Sequence, residues 1–211
     1  MSTRRLTLLV ACHLAVSNQL SGTNAACIYC GPIASKSTTG ELTLLMPTFV
    51  MLSNTLGALL AGLFLRNFGR KPLLLAGLAV QTVMLCCIGI GFLVKAHAPG
   101  ASEAMAVAGL FAFQVSYGST LGSIVWLYIP EIVSPSKVSI AITCNWTSAS
   151  LVVILFPVIE AHLLDGNPGA MFFFFAAWCV SAIILHSKCM VETRGKTELQ
   201  IRQEYRQLKI C

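Results

Sequence analysis

Residues 72–94 read "PLLLAGLAVQTVMLCCIGIGFLV" and hold no charged side chain. A run of about 20 apolar residues, coiled as a helix, crosses a hydrocarbon core of about 30 Å. Lys71 stands just before the run and Lys95 just after it. Working outward, five further runs of the same kind appear, at residues 6–30, 42–65, 103–129, 138–160 and 169–187. None alternates apolar and polar residues as a membrane barrel strand must. Inside lipid the backbone has to satisfy its own hydrogen bonds, and that leaves helices. The expected fold is an all-α membrane protein with six transmembrane helices in one bundle over residues 1–189. Residues 190–211 are expected to form a tail with a short helix.

Composition points the same way. Of 211 residues, 56% are hydrophobic and 10% charged, against about 25% charged in a soluble domain. The first run lacks a small-residue cleavage site and is interrupted by amides, so it reads as a span and not as a cleaved leader. The net charge of +6 could suggest nucleic acid, but position argues against that partner. With six crossings, every Lys and Arg except Lys36 and Lys95 falls on one face. An excess of that kind marks the cytoplasmic side. Both termini are therefore expected in the cytoplasm of a multi-pass protein, with the plasma membrane as its expected location. The bilayer is its first partner, and anionic lipid a natural contact for the basic face.

No metal or cofactor site is expected. Cys27 and Cys30 have CxxC spacing, but no second pair accompanies them, and most other cysteines sit in or beside spans as small apolar residues. No nucleophile–base constellation argues for an enzyme. Asn145-Trp146-Thr147 spells a glycosylation sequon inside a span, where it is expected to go unused.

Polarity inside the spans carries the functional signal. "SNQLSGTNA", residues 17–25, puts three amides and two serines into an apolar segment. A polar side chain in a span is costly unless it meets a partner or a water-filled cavity. At about 100° per residue, Ser17, Ser21 and Asn24 share a stripe, while Gln19 lies nearly opposite. The helix must loosen between Gln19 and Asn24 if both are to address one cavity. Gly22-Thr23 is placed for that, and interrupted helices are a recurring feature of transporter sites. Asn54, Ser116, Tyr117, Ser119, Asn145 and Trp146 are further polar or aromatic groups near span centres. Amides both donate and accept, as hydroxyls do, and an aromatic face covers the C–H side of a sugar ring. No carboxylate, lysine or arginine lies deep in a span, which points away from charged solutes.

Between the second and third runs, "GLFLRNFGRK" (residues 62–71) is so short that the two helices are expected to be antiparallel neighbours. Gly62, Gly69, Arg70 and Lys71 resemble the loop signature of the major facilitator superfamily. "NQLSGTNA" (18–25), "GSIVWLYIPEI" (122–132), "NWTSA" (145–149) and "VETRGKT" (191–197) are similar, in that order, to motifs of its sugar-porter branch. The resemblance covers almost the whole chain. It implies the C-terminal half of a major facilitator fold, helices seven to twelve. The chain is expected to be either a fragment of a longer transporter or a half-protein that pairs with a separate N-terminal half or with a second copy of itself. It further implies transport of a sugar or related polyol by alternating access. The sugar contacts would fall on Gln19, Asn24, Asn54 and Trp126, with Asn18, Tyr29, Asn145 and Trp146 nearby. The amides suit a hexose, a pentose, a polyol or inositol alike, and protons stand as an open co-substrate. Arg70, Lys71 and Glu131 would form a cytoplasmic gate. Arg66 occupies the place of an expected acid and sets a like charge four residues before Arg70. Ser123 and Val125 replace two prolines, which predicts a weaker kink there. The competing expectation is a non-transporting membrane subunit that keeps the fold for regulation or interaction. After the last run, Thr197-Glu198-Leu199-Gln200 fits a capping box opening a helix over about 198–209.

Overall fold

The computed structural model describes residues 3–34, 40–163 and 169–208, and these are helical almost throughout, with no strand among them. The helices are α1 (Thr3–Leu20), α2 (Thr23–Ala34), α3 (Gly40–Asn67), α4 (Arg70–Val94), α5 (Pro99–Ser119), α6 (Leu121–Ile132), α7 (Pro135–Leu163), α8 (Gly169–Cys189) and α9 (Glu198–Gln207). Five continuous stretches are long and apolar enough to cross a membrane: Leu45–Asn67, Arg70–Val94, Pro99–Ile132, Pro135–His162 and Gly169–Cys189. The remaining path is α1 followed by α2. Its two pieces, 18 and 12 residues long, make one crossing interrupted at Ser21-Gly22. The protein is thus an integral, multi-pass helical membrane protein.

The break in the first crossing follows from local chemistry. Gly22 has φ +93°, a left-handed backbone that costs other L-residues about 1–2 kcal/mol. Its bare α-carbon also lets the Phe175 ring of α8 press close, about 3.0 Å from where a Cβ would stand. Ser21 Oγ donates to the Asn18 carbonyl at 3.1 Å, satisfying an acceptor at the broken end.

A second break separates α5 from α6 at Thr120, whose backbone sits at φ −128°, ψ −95°. α6 runs unbroken through Ser123 and Val125, which stand where two prolines were expected, so no proline holds this break. Hydroxyls hold the interruption instead. Thr120 Oγ1 donates to the Ser116 carbonyl at 2.6 Å and Ser123 Oγ to the Gly118 carbonyl at 2.7 Å. From α4, the buried Gln81 donates across to Thr120 Oγ1 at 3.2 Å.

The packing also revises one expectation. The short turn at Phe68-Gly69 does not make α3 and α4 close neighbours. They touch little, while α3 lies along α5, and α4 lies between α5 and α8. Small residues decide this. A Cβ at Gly57 of α3 would strike the Val115 carbonyl, and one at Gly118 of α5 would strike the Asn54 carbonyl. Glycines on both sides let the two backbones approach, and dispersion over that close contact drives helix association in lipid.

α1 packs mainly on α7 and also on α8 and α6. Leu6, Val10, Ala11 and Leu14, at helical spacing, are all buried. A polar lock joins α1 to α8. His13 Nδ1 lies 3.2 Å from His186 Nε2, Trp178 Nε1 donates to Ser17 Oγ at 3.2 Å, and the His13 ring stacks on Trp178. The outward faces of α3 and α7 are apolar: Leu59 is 71% exposed and Ile154 63%. Such faces suit lipid tails or another apolar bundle.

Candidate functional site

The polar residues of residues 17–25 meet the fifth crossing at Asn145. Asn145 Oδ1 accepts from Asn18 Nδ2 at 2.9 Å and from Gln19 Nε2 at 3.0 Å. Asn24 Nδ2 donates to Gln19 Oε1 at 2.8 Å, across the helix break. Tyr117 of α5 donates its hydroxyl to Asn18 Oδ1 at 2.9 Å. Four helices, α1, α2, α5 and α7, are therefore tied by one chain of uncharged hydrogen bonds. The break at Ser21-Gly22 is what brings Gln19 and Asn24 together. Ser17, expected on the same stripe as Asn24, turns instead toward His13 and Trp178.

Asn18, Gln19 and Asn145 are buried, and Asn24 is half-buried at the edge of the network. Asn145 Nδ2 is buried without a hydrogen-bond partner, so the network retains one uncommitted donor. A parallel contact runs from Thr23 Oγ1 to Gln114 Oε1 at 3.3 Å, and Gln114 Nε2 reaches Cys27 Sγ. Gln114 and Gln81 are site-level polar residues that the sequence reading passed over. Each is a single amide in an apolar run, and its role appears once the two breaks are in place.

The other sequence candidates are arranged differently. Asn54, on α3, lies where its carbonyl and Oδ1 face Gly118. A side chain at Gly118 would collide with the α3 backbone. Trp126 and Trp146 present open faces, 45% and 61% exposed, and no hydrogen bond ties them to the amides. Tyr29 belongs to α2, and its side chain lies outside the described residues.

At the basic end of the spans a charged cluster closes over the α3–α4 turn. Arg70 Nη2 and Glu131 Oε1 are 2.9 Å apart, and Glu131 Oε2 accepts from Thr193 Oγ1 at 2.5 Å. Lys71 makes no carboxylate pair. Its Nζ donates to the Ser187 carbonyl at 2.8 Å. The organising residue is Glu192, which the sequence reading did not single out. Its carboxylate accepts from the backbone N–H groups of Arg70, Lys71, Thr193 and Arg194, at 2.9–3.0 Å. It thereby caps the start of α4. Gly69 makes room, since a Cβ there would occupy the carboxylate's place. Partial burial works against the Glu192 charge, but the four N–H donors together hold its carboxyl below the usual carboxylate range. Arg194 serves the other side of the turn, donating to the carbonyls of Asn67 and Arg66 at 2.6 Å each. An acid thus meets the positive end of α4 and an arginine the negative end of α3. Arg66 takes part in this turn through its backbone carbonyl.

α9 completes this face. Thr197 and Gln200 form a capping box, and Tyr205 shares a 2.7 Å hydrogen bond with the buried Tyr128 of α6. Burial is the main reason the Tyr205 hydroxyl is pushed up to about 12.

A bundle of membrane-spanning helices with two interrupted crossings and an uncharged polar interior has the architecture of a major facilitator protein. Solved structures of similar shape bear this out. The proton:xylose symporter XylE, bound to 6-bromo-6-deoxy-D-glucose, superposes with a TM-score of 0.80 at 20% identity, covering 94% of this chain and 42% of that one. A partially occluded, inward-open form of XylE from E. coli gives 0.76 at 21% identity, covering 93% and 42%. The family profile "Sugar (and other) transporter" matches residues 1–205, and the chain belongs to that family. Among curated relatives, the Arabidopsis thaliana Sugar transporter ERD6-like 8 is 32% identical over 70% of this chain and 32% of its own length. The human Solute carrier family 2, facilitated glucose transporter member 9 is 30% identical over 89% of this chain and 35% of its own. The chain therefore spans about a third of the length of these relatives.

Proposed function

We propose that this chain supplies one six-helix half of a sugar or polyol transporter, the half that follows the midpoint in its longer relatives. Solute would bind near the bilayer midplane between this bundle and a second one, and the two would rock around it. Membership of a sugar-transporter family and the fold support this reading. The observation that carries it is the chain of uncharged amides at the α1–α2 break, with a spare buried donor on Asn145. Such a network matches the mixed donor and acceptor character of a polyol and offers an ion no countercharge. Asn24 and Gln19, at its exposed edge, would make the first hydroxyl contacts. The open faces of Trp126 and Trp146 would cover the ring or meet the second bundle. Arg70, Lys71 and Glu131 would act as the gate on the basic face, which we place in the cytoplasm with both termini. Protons stand as an open co-substrate, since the network contains no carboxylate and no histidine to carry one.

Uptake into proteoliposomes tests this. The chain is reconstituted alone and with a separately expressed first half taken from a relative, and labelled glucose and xylose are followed. The expected result is saturable uptake with both halves present. Asn24→Ala should lower it about tenfold, the worth of one to two hydrogen bonds to an uncharged ligand. Absence of sugar-dependent uptake in every combination would reject the reading.

One observation favours a second reading. Asn18, Gln19 and Asn145 largely satisfy one another, as interhelical glue would. On that reading the protein is a non-transporting membrane subunit. Asn24→Ala would then lower thermal stability without any sugar changing the unfolding temperature.

A further inference from the structure

A cleft of about 450 Å³ opens on the basic face between the start of α1, the α6–α7 turn and α9. Its walls carry Arg4, Lys137, Arg202 and Arg206, with the hydroxyls of Ser134 and Ser136, and no carboxylate lines it. We propose that this cleft binds a phosphomonoester anion. The inference does not depend on whether the bundle transports sugar.

Four cations converging on one cleft repel one another unless an anion joins them. Nothing within the cleft supplies that anion. Arg202 pairs with Glu198, one turn earlier on the same face of α9 and outside the cleft lining, but the pair is well exposed, at 61% and 71%, and exposed pairs contribute little. Lys137 Nζ donates to the Arg4 backbone carbonyl at 3.3 Å, which ties the start of α7 to the start of α1 across the cleft. The arginines are held in place from behind. Ile201 and Tyr205 of α9 are 4% and 2% exposed, so the helix is anchored and presents Arg202 and Arg206, one turn apart, toward the cleft. α9 also sorts its charges. Glu204 pairs with Lys196, and neither residue lines the cleft.

The chemistry of the lining selects the ligand class. Arginine forks and hydroxyls match the oxygens of phosphate. A phosphomonoester carries nearly two charges at neutral pH, whereas a diester carries one. Ser136 and Lys137 stand in the first turn of α7, a 29-residue helix, whose positive end adds to the field. Two sources present this group. Residues at the starts of α1 and α7 lie where spans meet lipid headgroups, so an inositol phospholipid could reach the cleft, as could a soluble phosphomonoester.

The test uses the full 211-residue chain in phosphatidylcholine nanodiscs, with thermal unfolding followed by tryptophan fluorescence. The probes are phosphatidylinositol bisphosphate in the disc, phosphatidylserine at matched total charge, and inositol trisphosphate in solution with plain discs. A bisphosphate or trisphosphate probe should raise the midpoint by about 3 °C, with phosphatidylserine well behind. A shift from the lipid alone assigns a membrane source, and one from trisphosphate assigns a soluble source. Arg202→Gln with Arg206→Gln should abolish the shift. So should Arg4→Gln with Lys137→Gln on the facing wall, which carries the test if the α9 variant fails to fold. Arg5→Gln with Lys188→Gln removes the same charge outside the cleft and should leave the shift intact. The proposal is overturned if no probe shifts the midpoint, if phosphatidylserine equals the bisphosphate lipid, or if the control pair loses the shift equally.

Discussion

Asn145 Oδ1 takes both the Asn18 and the Gln19 amide hydrogen bonds, so a change at this one atom strands two donors. Asn145→Leu should lower stability by about 1–2 kcal/mol, near the upper end for interhelical hydrogen bonds in membranes. Asn145→Asp, which keeps an acceptor, should lose less. Thermal unfolding in detergent compares them, and equal losses would mean that the amides contribute by shape alone. Gly22→Ala should cost about 1–2 kcal/mol for the left-handed backbone, plus the displacement of Phe175. At this scale the sequence was informative where polarity clustered. Asn18, Gln19 and Asn24 stood out because three amides crowd an apolar run. Gln81 and Gln114 did not, because a lone amide has no local signature and its partner lies in another helix. Glu192 was hidden by distance, since its N–H donors on Arg70 and Lys71 lie 122 and 121 residues away in sequence.

Helix lengths and apolar runs were legible from hydropathy, and Gly22 marked the first break. The break at Thr120 was not legible, because it is held by hydroxyls and no proline or glycine marks that position. Hydroxyls like those of Thr120 and Ser123 are common in unbroken spans too, bonding back to the preceding turn. Neighbour relations were the least readable feature. Loop length argued for α3 beside α4, yet the glycine pair 57 and 118 draws α3 onto α5. Gly118→Ala tests that packing. The added methyl group meets the Asn54 carbonyl with no flexible side chain to give way. A loss of about 1–3 kcal/mol, the usual cost of overpacking, should appear in thermal unfolding. Gly62→Ala, which meets nothing within 4 Å, should be neutral or slightly stabilising by helix propensity. Equal responses at the two positions would show that α3 and α5 are not held by this contact.

The whole bundle is clasped on its basic face by residues 192–194, which join the α3–α4 turn to α6 and α9, and this clasp depends on pH through Glu192. Its carboxyl is held below the ordinary value in the folded protein. The stabilisation it lends is therefore fully present above the unfolded carboxylate range and is lost as pH falls through the lowered folded value. Acidification should free the tail before the spans unfold, because the spans are held by apolar packing and uncharged amides. Hydrogen exchange at the amides of Arg70, Lys71, Thr193 and Arg194 reads this directly. Protection at all four should be high near neutrality and fall together on the acid side of the carboxylate range. In Glu192→Gln the protection should already be reduced at neutral pH, with a flat response to acid. Arg70 offers an independent check, since Glu131 engages its side chain and not its amide. Glu131→Gln should therefore weaken that ion pair while leaving the four amides protected. Acid release that persists unchanged in Glu192→Gln would assign the clasp to another group, and Glu131, which accepts from Thr193, would be the next to test.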